Sequence, residues 1–555
     1  MIAVAPLKIG RFRSMWVASL FSNLGSFFYT VAASWLMLEL TGSATWVGLM
    51  QAANTLPLLF LGLAAGAIVD LTDRTKVMFV SQVVMGLAAA AMAIVTWLGL
   101  INAPLLLALG LVIGVGVAFN LPAWQALVPN LVPRGMLASA VALNSAGFNV
   151  ARAIGPALAG VVVASAGAGV AFGVNAASFL GVIAVVVLVA RKIELPPPEN
   201  ASVAAAIGLG LRFARFTPAF RRLLGLLAIF AITSAVIQSV LPSRTRELGG
   251  DAGTYGVLLG AMGVGALVAA FTRHSVMSRL GPRSIPITLG VFGVAGIVAG
   301  WFDSRWVVIL ALAVAGACWV LTLVTLNTTT QTISPEWIRG RAMSLYTLAF
   351  TGVFPVGAIL AGALADVVGA GSSMVILSTG TVILGVTAPL FRIPNLTELE
   401  APEFSEDQGL ADHPENLDGG PVMVVSSWTI DEADYQNFLN VMARVRLVRL
   451  STGAYRWRIY RNVGRPERFT EVYLVHSWDE HLAQHRRIDD SSRRLIRQAR
   501  GFDRNGGPTA SHLLAIDVGH PPNWEELVAA HAELHRTDGS IPMETIATPE
   551  TDLSR

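Results

Sequence analysis

Side chains able to do chemistry are scarce in this sequence, and most of them stand alone inside apolar runs. The single cysteine, Cys318, excludes an intrachain disulfide and supplies no metal-ligand spacing. His481 and His485 stand four apart, on one face of a helix. They lack the intervening glutamate of a zinc-protease helix and have Arg486 and Arg487 beside them. They read as a solvated polar face, so no metal, cofactor or catalytic residue is expected. Within the long apolar stretches remain one cation, Arg152, and the amides Asn23, Gln51, Asn54, Asn120, Asn144, Asn149, Asn175, Gln238 and Asn327. Such a set hydrogen-bonds a solute rather than breaking its bonds. An ionisable group in hydrocarbon is costly unless paired or hydrated, which makes Arg152 a functional candidate. A snorkelling arginine near a helix end is the equal alternative. Asn23, Gln51, Asn54, Asn149, Gln238 and Asn327 are the substrate-cavity candidates, although bridging neighbouring helices is the commoner duty of such amides. Proton coupling wants a carboxylate shifted by burial, and the available acids, Glu39, Asp70 and Asp366, all lie at the ends of apolar runs.

These residues need a frame that carries them through a membrane. Of 555 residues, 54% are hydrophobic and only 14% charged, against about a quarter charged in soluble domains. Charge is rare up to about Arg392 and dense from Asn395 onward, so the two regions have different solvents. The net charge of +3 sits in short loops rather than in one patch, which argues against a nucleic-acid partner. Apolar runs of roughly 20 residues, the length that crosses hydrocarbon, lie near 14–38, 44–69, 77–99, 103–123, 138–165 and 169–190. Six more lie near 223–243, 253–272, 285–302, 305–329, 341–366 and 371–391. The first run is expected to act as an uncleaved targeting signal.

Loop charge sets the direction. With both termini inside, the cytoplasmic loops hold Lys8, Arg11, Arg13, Arg74, Lys76, Arg134, Arg191, Lys192, Arg212, Arg215, Arg221, Arg222, Arg273, Arg279, Arg283, Arg339, Arg341 and Arg392. The other side keeps Arg244, Arg246 and Arg305. Gln125-Ala-Leu-Val-Pro129 matches Gln331-Thr-Ile-Ser-Pro335, each followed by an arginine-bearing turn and a helix rich in small residues. The first such helix holds Gly155, Pro156 and Gly160; the second holds Pro355, Gly357 and Gly362. Parallel six-helix repeats are thus expected.

Gly66-Ala-Ile-Val-Asp70-Leu-Thr-Asp73-Arg74-Thr-Lys76 resembles the signature between helices 2 and 3 of the major facilitator superfamily. Leu71 stands where that signature has a basic residue. The resemblance implies a conformational latch at Gly66, Asp70, Asp73 and Arg74. Ala151-Arg152-Ala-Ile-Gly155-Pro156-Ala-Leu-Ala-Gly160 resembles the helix 5 motif of exporters in that superfamily, where proline loosens the helix and glycine admits a neighbour. Pro122 to Arg134, Asn144, Arg152 and Asn175-Ala-Ala-Ser178-Phe179 are similar to the branch holding enterobactin exporters and macrolide-efflux proteins. That branch often carries an acid in the middle of helix 1, where this chain has Ser26. The resemblance implies proton-driven export of a bulky amphipathic small molecule, such as a siderophore or antibiotic, by alternating access.

Beyond the bundle, Pro421–Ile430, Tyr455–Tyr460, Phe469–Trp478 and His512–Ile516 alternate as strands do. Helices are expected over Asp431–Leu447, with Asp431 as its cap, and over Asp479–Arg500. The order is ferredoxin-like, and the segment resembles antibiotic-biosynthesis monooxygenases, which pair as dimers. The expected fold is an all-α membrane protein of twelve transmembrane helices with a C-terminal α+β domain. Its parts are a six-helix bundle (1–190), a cytoplasmic loop (191–222), a second bundle (223–392), a linker (393–420), the α+β domain (421–520) and a partly disordered tail (521–555). The expected partners are a small-molecule substrate, the lipid bilayer and a second copy bound through the C-terminal domain. The location is the inner membrane, multi-pass, with both termini cytoplasmic. The alternative to a non-enzymatic exporter is a membrane-anchored enzyme or regulator whose C-terminal domain acts on the transported metabolite.

Overall fold

The computed structural model describes residues 5–190, 203–391 and 421–515; the expected linker and tail lie outside them. The chain divides into two compact units. One comprises Met1–Gly210 and Pro218–Glu400, the other Leu211–Thr217 and Ala401–Arg555.

Among the described residues the first unit is built of helices. Its first half contains α1 (Gly10–Thr41), α2 (Ala44–Leu71), α3 (Arg74–Trp97), α4 (Ala103–Leu127), α5 (Leu137–Ala166) and α6 (Ala168–Ala190). A connecting helix, α7 (Val203–Phe216), leads to the second half. That half contains α8 (Pro218–Glu247), α9 (Ala252–Leu280), α10 (Ser284–Trp301), α11 (Arg305–Ile333), α12 (Glu336–Thr347), α13 (Phe354–Val368) and α14 (Ala370–Thr387). Among the described residues ten segments are long and apolar enough to cross a membrane, and one of them, Ala252–Trp301, holds both α9 and α10. The remaining span is α1, where Ser22, Asn23, Ser26 and Thr30 dilute the apolar residues. The twelve spans form two six-helix repeats of the major facilitator fold.

The span expected over 341–366 is not one continuous α-helix. A π-helical stretch, Leu348–Gly352, separates α12 from α13. Pro355 follows at the start of α13; without an N–H, and with a ring that crowds the preceding turn, it favours such a break.

Successive helices alternate direction, so the bundle has a terminal end and a far end. At the far end the turn between α5 and α6 is one glycine, Gly167, and the turn between α13 and α14 is one glycine, Gly369. Their φ values are 85° and 90°, a region that L side chains adopt only at a cost. The two halves therefore close their last hairpin in the same way.

In the second unit, β1 (Val422–Thr429), α15 (Tyr435–Thr452), β2 (Arg456–Arg461), β3 (Arg468–Val475), α16 (Trp478–Arg486), α17 (Asp490–Arg500) and β4 (Thr509–Leu514) follow in order. The sheet runs β2-β3-β1-β4 and all its pairings are antiparallel, the ferredoxin-like arrangement. Three details depart from the sequence reading. The helix expected over Asp479–Arg500 is two helices, because Asp489 accepts from the Ser492 amide and starts a new one. Asp431 does not cap α15; a short turn intervenes, and its carboxylate pairs with Arg504 instead. His481 is not solvated: it is fully buried, its ring 4.7 Å from both His485 and His512 and 5.3 Å from Trp478.

The core of this unit also contains a charge pair. Arg449 stands 3.5 Å from Glu471 and lies over the Tyr473 ring, while the Trp457 indole donates to Glu471 at 2.9 Å. The end of α7 belongs to the same unit. Arg212 donates to the Gly453 carbonyl at 2.6 Å, and Phe216 packs on the cluster of Val422, Leu450, Tyr473 and Trp478.

Candidate functional site

The loop motif is built around a helix cap. Asp73 is the N-cap of α3 and accepts from the Thr75 amide at 2.9 Å and its hydroxyl at 2.6 Å. Partial burial pushes this carboxyl up, but bonds from Thr75 and Lys76 and the Lys76 charge outweigh it and hold it below the ordinary value. Arg74 opens α3, and Gly66 lies in the last turns of α2 with open space where a Cβ would stand. Asp70 also falls in α2, and its side chain lies outside the described residues.

The α5 motif is a surface between the halves. A Cβ on Gly155 would meet Phe27 of α1 at 2.9 Å. Pro156 and Gly160 press on α9: a Cβ on Gly256 would stand 2.5 Å from the Pro156 carbonyl, and one on Gly160 would stand 2.7 Å from that of Ala252. Half-buried Arg152 lies one turn earlier, its carbonyl 2.3 Å from where Gly263 would carry a Cβ. No carboxylate pairs with Arg152 among the described residues.

A second seam repeats the first. There α2 meets α13: a Cβ on Gly48 would stand 2.4 Å from the Ala358 carbonyl, and one on Gly362 would stand 2.4 Å from that of Ala44. Ala44 and Gly48 open α2 as Ala252 and Gly256 open α9. Ala358 and Gly362 precede Gly369 by the same offsets as Pro156 and Gly160 precede Gly167, so the two seams are in register. The two halves thus clasp each other through two equivalent glycine contacts, both in the half of the bundle near the far end.

The cavity candidates fall into separate groups. Gln51 and Asn54 come together between α1 and α2. Gln51 donates to the Ser34 hydroxyl at 3.1 Å, and the Tyr29 hydroxyl donates to Asn54 at 2.5 Å. Ser34 also bonds Tyr255 of α9, which stacks on Trp35 at 6.2 Å, so this polar bridge crosses between halves. Asn149 donates to the Ser145 carbonyl of its own helix, and Asn327 accepts from Gln331. Asn23 and Gln238 are half-buried on α1 and α8. Sequence reasoning missed Ser34 and Tyr255, since neither type stands out in an apolar run. It also missed a ring cluster in the second half, where Trp319 lies 5.7 Å from Phe230, 5.8 Å from Phe292 and 5.5 Å from Phe350. Phe350 sits on the π-helical stretch, a deviation often found at functional sites.

A groove of about 830 Å³ runs along α1 between α5 and α6. Phe21, Phe28, Leu158 and Val174 line it, with Ser178 in its wall and the exposed Arg13 at one end. Its lining is apolar along most of its length, with a cation at one end.

Residues 1–518 match the family described as transmembrane secretion effectors. The chain is 28% identical over 393 residues to the multidrug efflux pump Tap of Mycolicibacterium fortuitum, a match covering 69% of this chain and 95% of the pump. It is 25% identical over 383 residues to the enterobactin exporter EntS of Salmonella typhimurium, covering 68% and 90%. It is 22% identical over 367 residues to the staphyloferrin A transporter of Staphylococcus aureus, covering 65% and 91%. Among solved structures, a bacterial homolog of the human lysosomal transporter Spinster, inward-facing and occupied, overlays with a TM-score of 0.56 at 14% identity, covering 72% of this chain and 99% of that one. A POT family transporter gives 0.58 at 13% identity, covering 69% and 98%. With two repeated six-helix halves clasped through paired glycine seams, the chain belongs to the transmembrane secretion effector family and is a multi-pass membrane exporter of the major facilitator type.

Proposed function

We propose that this exporter is a secondary active transporter of bulky amphipathic small molecules, siderophore-like or antibiotic-like, driven by the proton gradient through alternating access. The observation that carries the reading is the pair of equivalent glycine seams at one end of the bundle. Two rigid halves joined by interchangeable close contacts can rock about them. The loop charges support cytoplasmic termini in the inner membrane, which makes the far end external and the present arrangement closed on that side. Arg152, with no carboxylate partner among the described residues, suits an acidic group on the substrate, and the α1–α5–α6 groove suits entry from the inner leaflet. The named relatives, which are an efflux pump and siderophore transporters, support a substrate of this class.

The test is uptake of a fluorescent lipophilic drug and of a radiolabelled siderophore into inverted vesicles. Accumulation is expected on energisation and loss of accumulation on addition of a protonophore. Arg152→Ala is expected to lower accumulation of acidic substrates at least about tenfold, the size of one charge-assisted bond. Accumulation untouched by the protonophore sinks the proton-driven part, and no accumulation of any compound sinks the whole reading.

A regulatory role for the C-terminal domain has one observation in its favour. The segment Leu211–Thr217, which joins the two halves in sequence, is part of that domain's packing through Arg212 and Phe216. Deleting residues 421–555 would leave transport possible but change its rate; an unchanged rate rejects the regulatory reading.

A further inference from the structure

The two seams are equivalent in their glycines but not in their charges. Asp251 and Ser43 occupy matching places, each the N-cap of the helix that enters its seam. Asp251 serves its own helix, accepting from the Thr254 amide and hydroxyl at 2.8 Å. At the other seam the carboxylate comes from the opposite half. Asp366, near the end of α13, accepts from the Ser43 hydroxyl at 2.6 Å, the Ala44 amide at 2.6 Å, and the Thr45 amide and hydroxyl at 3.1 and 2.5 Å. Its counterpart in the first seam is Ala164, which brings no charge to α9. One acid thus occupies the positive end of α2 from across the boundary between halves, where the helix dipole and the unbonded amides both favour an anion.

We infer that Asp366 is the latch residue of the far-end gate, setting how strongly the two halves stay closed there. This inference rests on the alternating-access reading. Parting α2 from α13 strips the carboxylate of four donors and takes the acceptor from the Ala44 and Thr45 amides, while Ser43 keeps only its own bond to the Trp46 amide. Parting α5 from α9 breaks no bond of that kind, because the cap at Asp251 travels with its own helix. The gate therefore resists opening on one side more than the other. The α5–α9 seam slides over its glycines, and the α2–α13 seam releases in one step. Asp366 is a positioning residue for transport; it acts through the relative placement of the halves.

The experiment is electron–electron distance measurement on the full chain in lipid nanodiscs. Spin labels are placed at Asn102 and Ser304, exposed residues on the far-end turns of the two halves, with the buried native cysteine removed by Cys318→Ala. Asp366→Asn is expected to move the closed-to-open ratio toward the longer distance by about tenfold, the weight of one lost charge-assisted bond. Asp366→Glu is expected to restore most of the closed population, and Asp251→Asn to leave it unchanged. Should Asp366→Asn reduce folding yield, Ser43→Ala with Thr45→Val removes hydroxyl donors from the other side and is expected to give a smaller shift of the same sign. An unchanged distribution in Asp366→Asn and in the Ser43–Thr45 double variant overturns the latch, as does an equal shift in Asp251→Asn. Alternating access fails separately, if energisation and substrate leave the distances fixed in every variant.

Discussion

Gly362 lies so close to Ala44 that a Cβ on the glycine would stand 2.4 Å from the alanine's carbonyl oxygen. Backbone on both sides of that contact cannot step aside as a side chain can. Gly362→Ala is therefore expected to cost about 1–3 kcal/mol through overpacking, and Gly160→Ala the same at the other seam. Both should lower the thermal midpoint in detergent and populate the open far end. A midpoint equal to that of the unaltered protein would show that the seams are looser than described.

Gly66 makes a contrast. Nothing stands within 4 Å of where its Cβ would be, so Gly66→Ala is expected to leave thermal stability within about 0.5 kcal/mol. A loss of transport by this variant at unchanged stability would locate the motif's steric requirement in a different arrangement of the halves. Loss of stability instead would contradict the open space.

Asp73 should make the start of α3 sensitive to acid. Its folded value is lower than its unfolded value of about 3.9. The cap's stabilisation is thus fully present above the unfolded value and is lost as pH falls through the folded one. Asp73→Ala is expected to cost about 1 kcal/mol at neutral pH and Asp73→Asn much less, since asparagine also caps well. Hydrogen exchange of the first α3 amides, followed from pH 7 toward pH 3, checks both.

The buried Arg449–Glu471 pair predicts asymmetric losses. Removing one partner with Glu471→Ala leaves the arginine charge unpaired in the core and is expected to destabilise the C-terminal unit by about 3–5 kcal/mol. Arg449→Met with Glu471→Leu removes both charges and is expected to recover much of that loss. Amide exchange along β3, which carries Glu471 and Tyr473, follows the unfolding. Equal losses in the single and double variants would mean that the pair contributes only packing.

Arg212→Ala should free the end of α7. The guanidinium donates to the Gly453 carbonyl at 2.6 Å, and its loss is expected to raise amide exchange in Val203–Phe216 about tenfold, the weight of one charge-assisted bond, with α3 and α9 unaffected. No change in α7 would show that the packing of Phe216 suffices to hold the segment.

The sequence by itself determined the solvent, the number of spans and the repeat. Hydrocarbon tolerates only long apolar helices, which leave their period and length in the chain, and Gln125–Pro129 with Gln331–Pro335 marks the two halves. The glycine and proline of the α5 motif were legible as a place of close approach, although their partner, Gly256 on α9, was not. The tertiary structure decided the rest. It showed that Gln51 bonds Ser34 and Asn54 bonds Tyr29, that His481 is buried rather than solvated, and that Asp366 of one half caps a helix of the other. Each depends on residues distant in sequence meeting across a packed interface. Local pattern records which medium a residue enters; which neighbour satisfies its polar groups is set only when the helices pack.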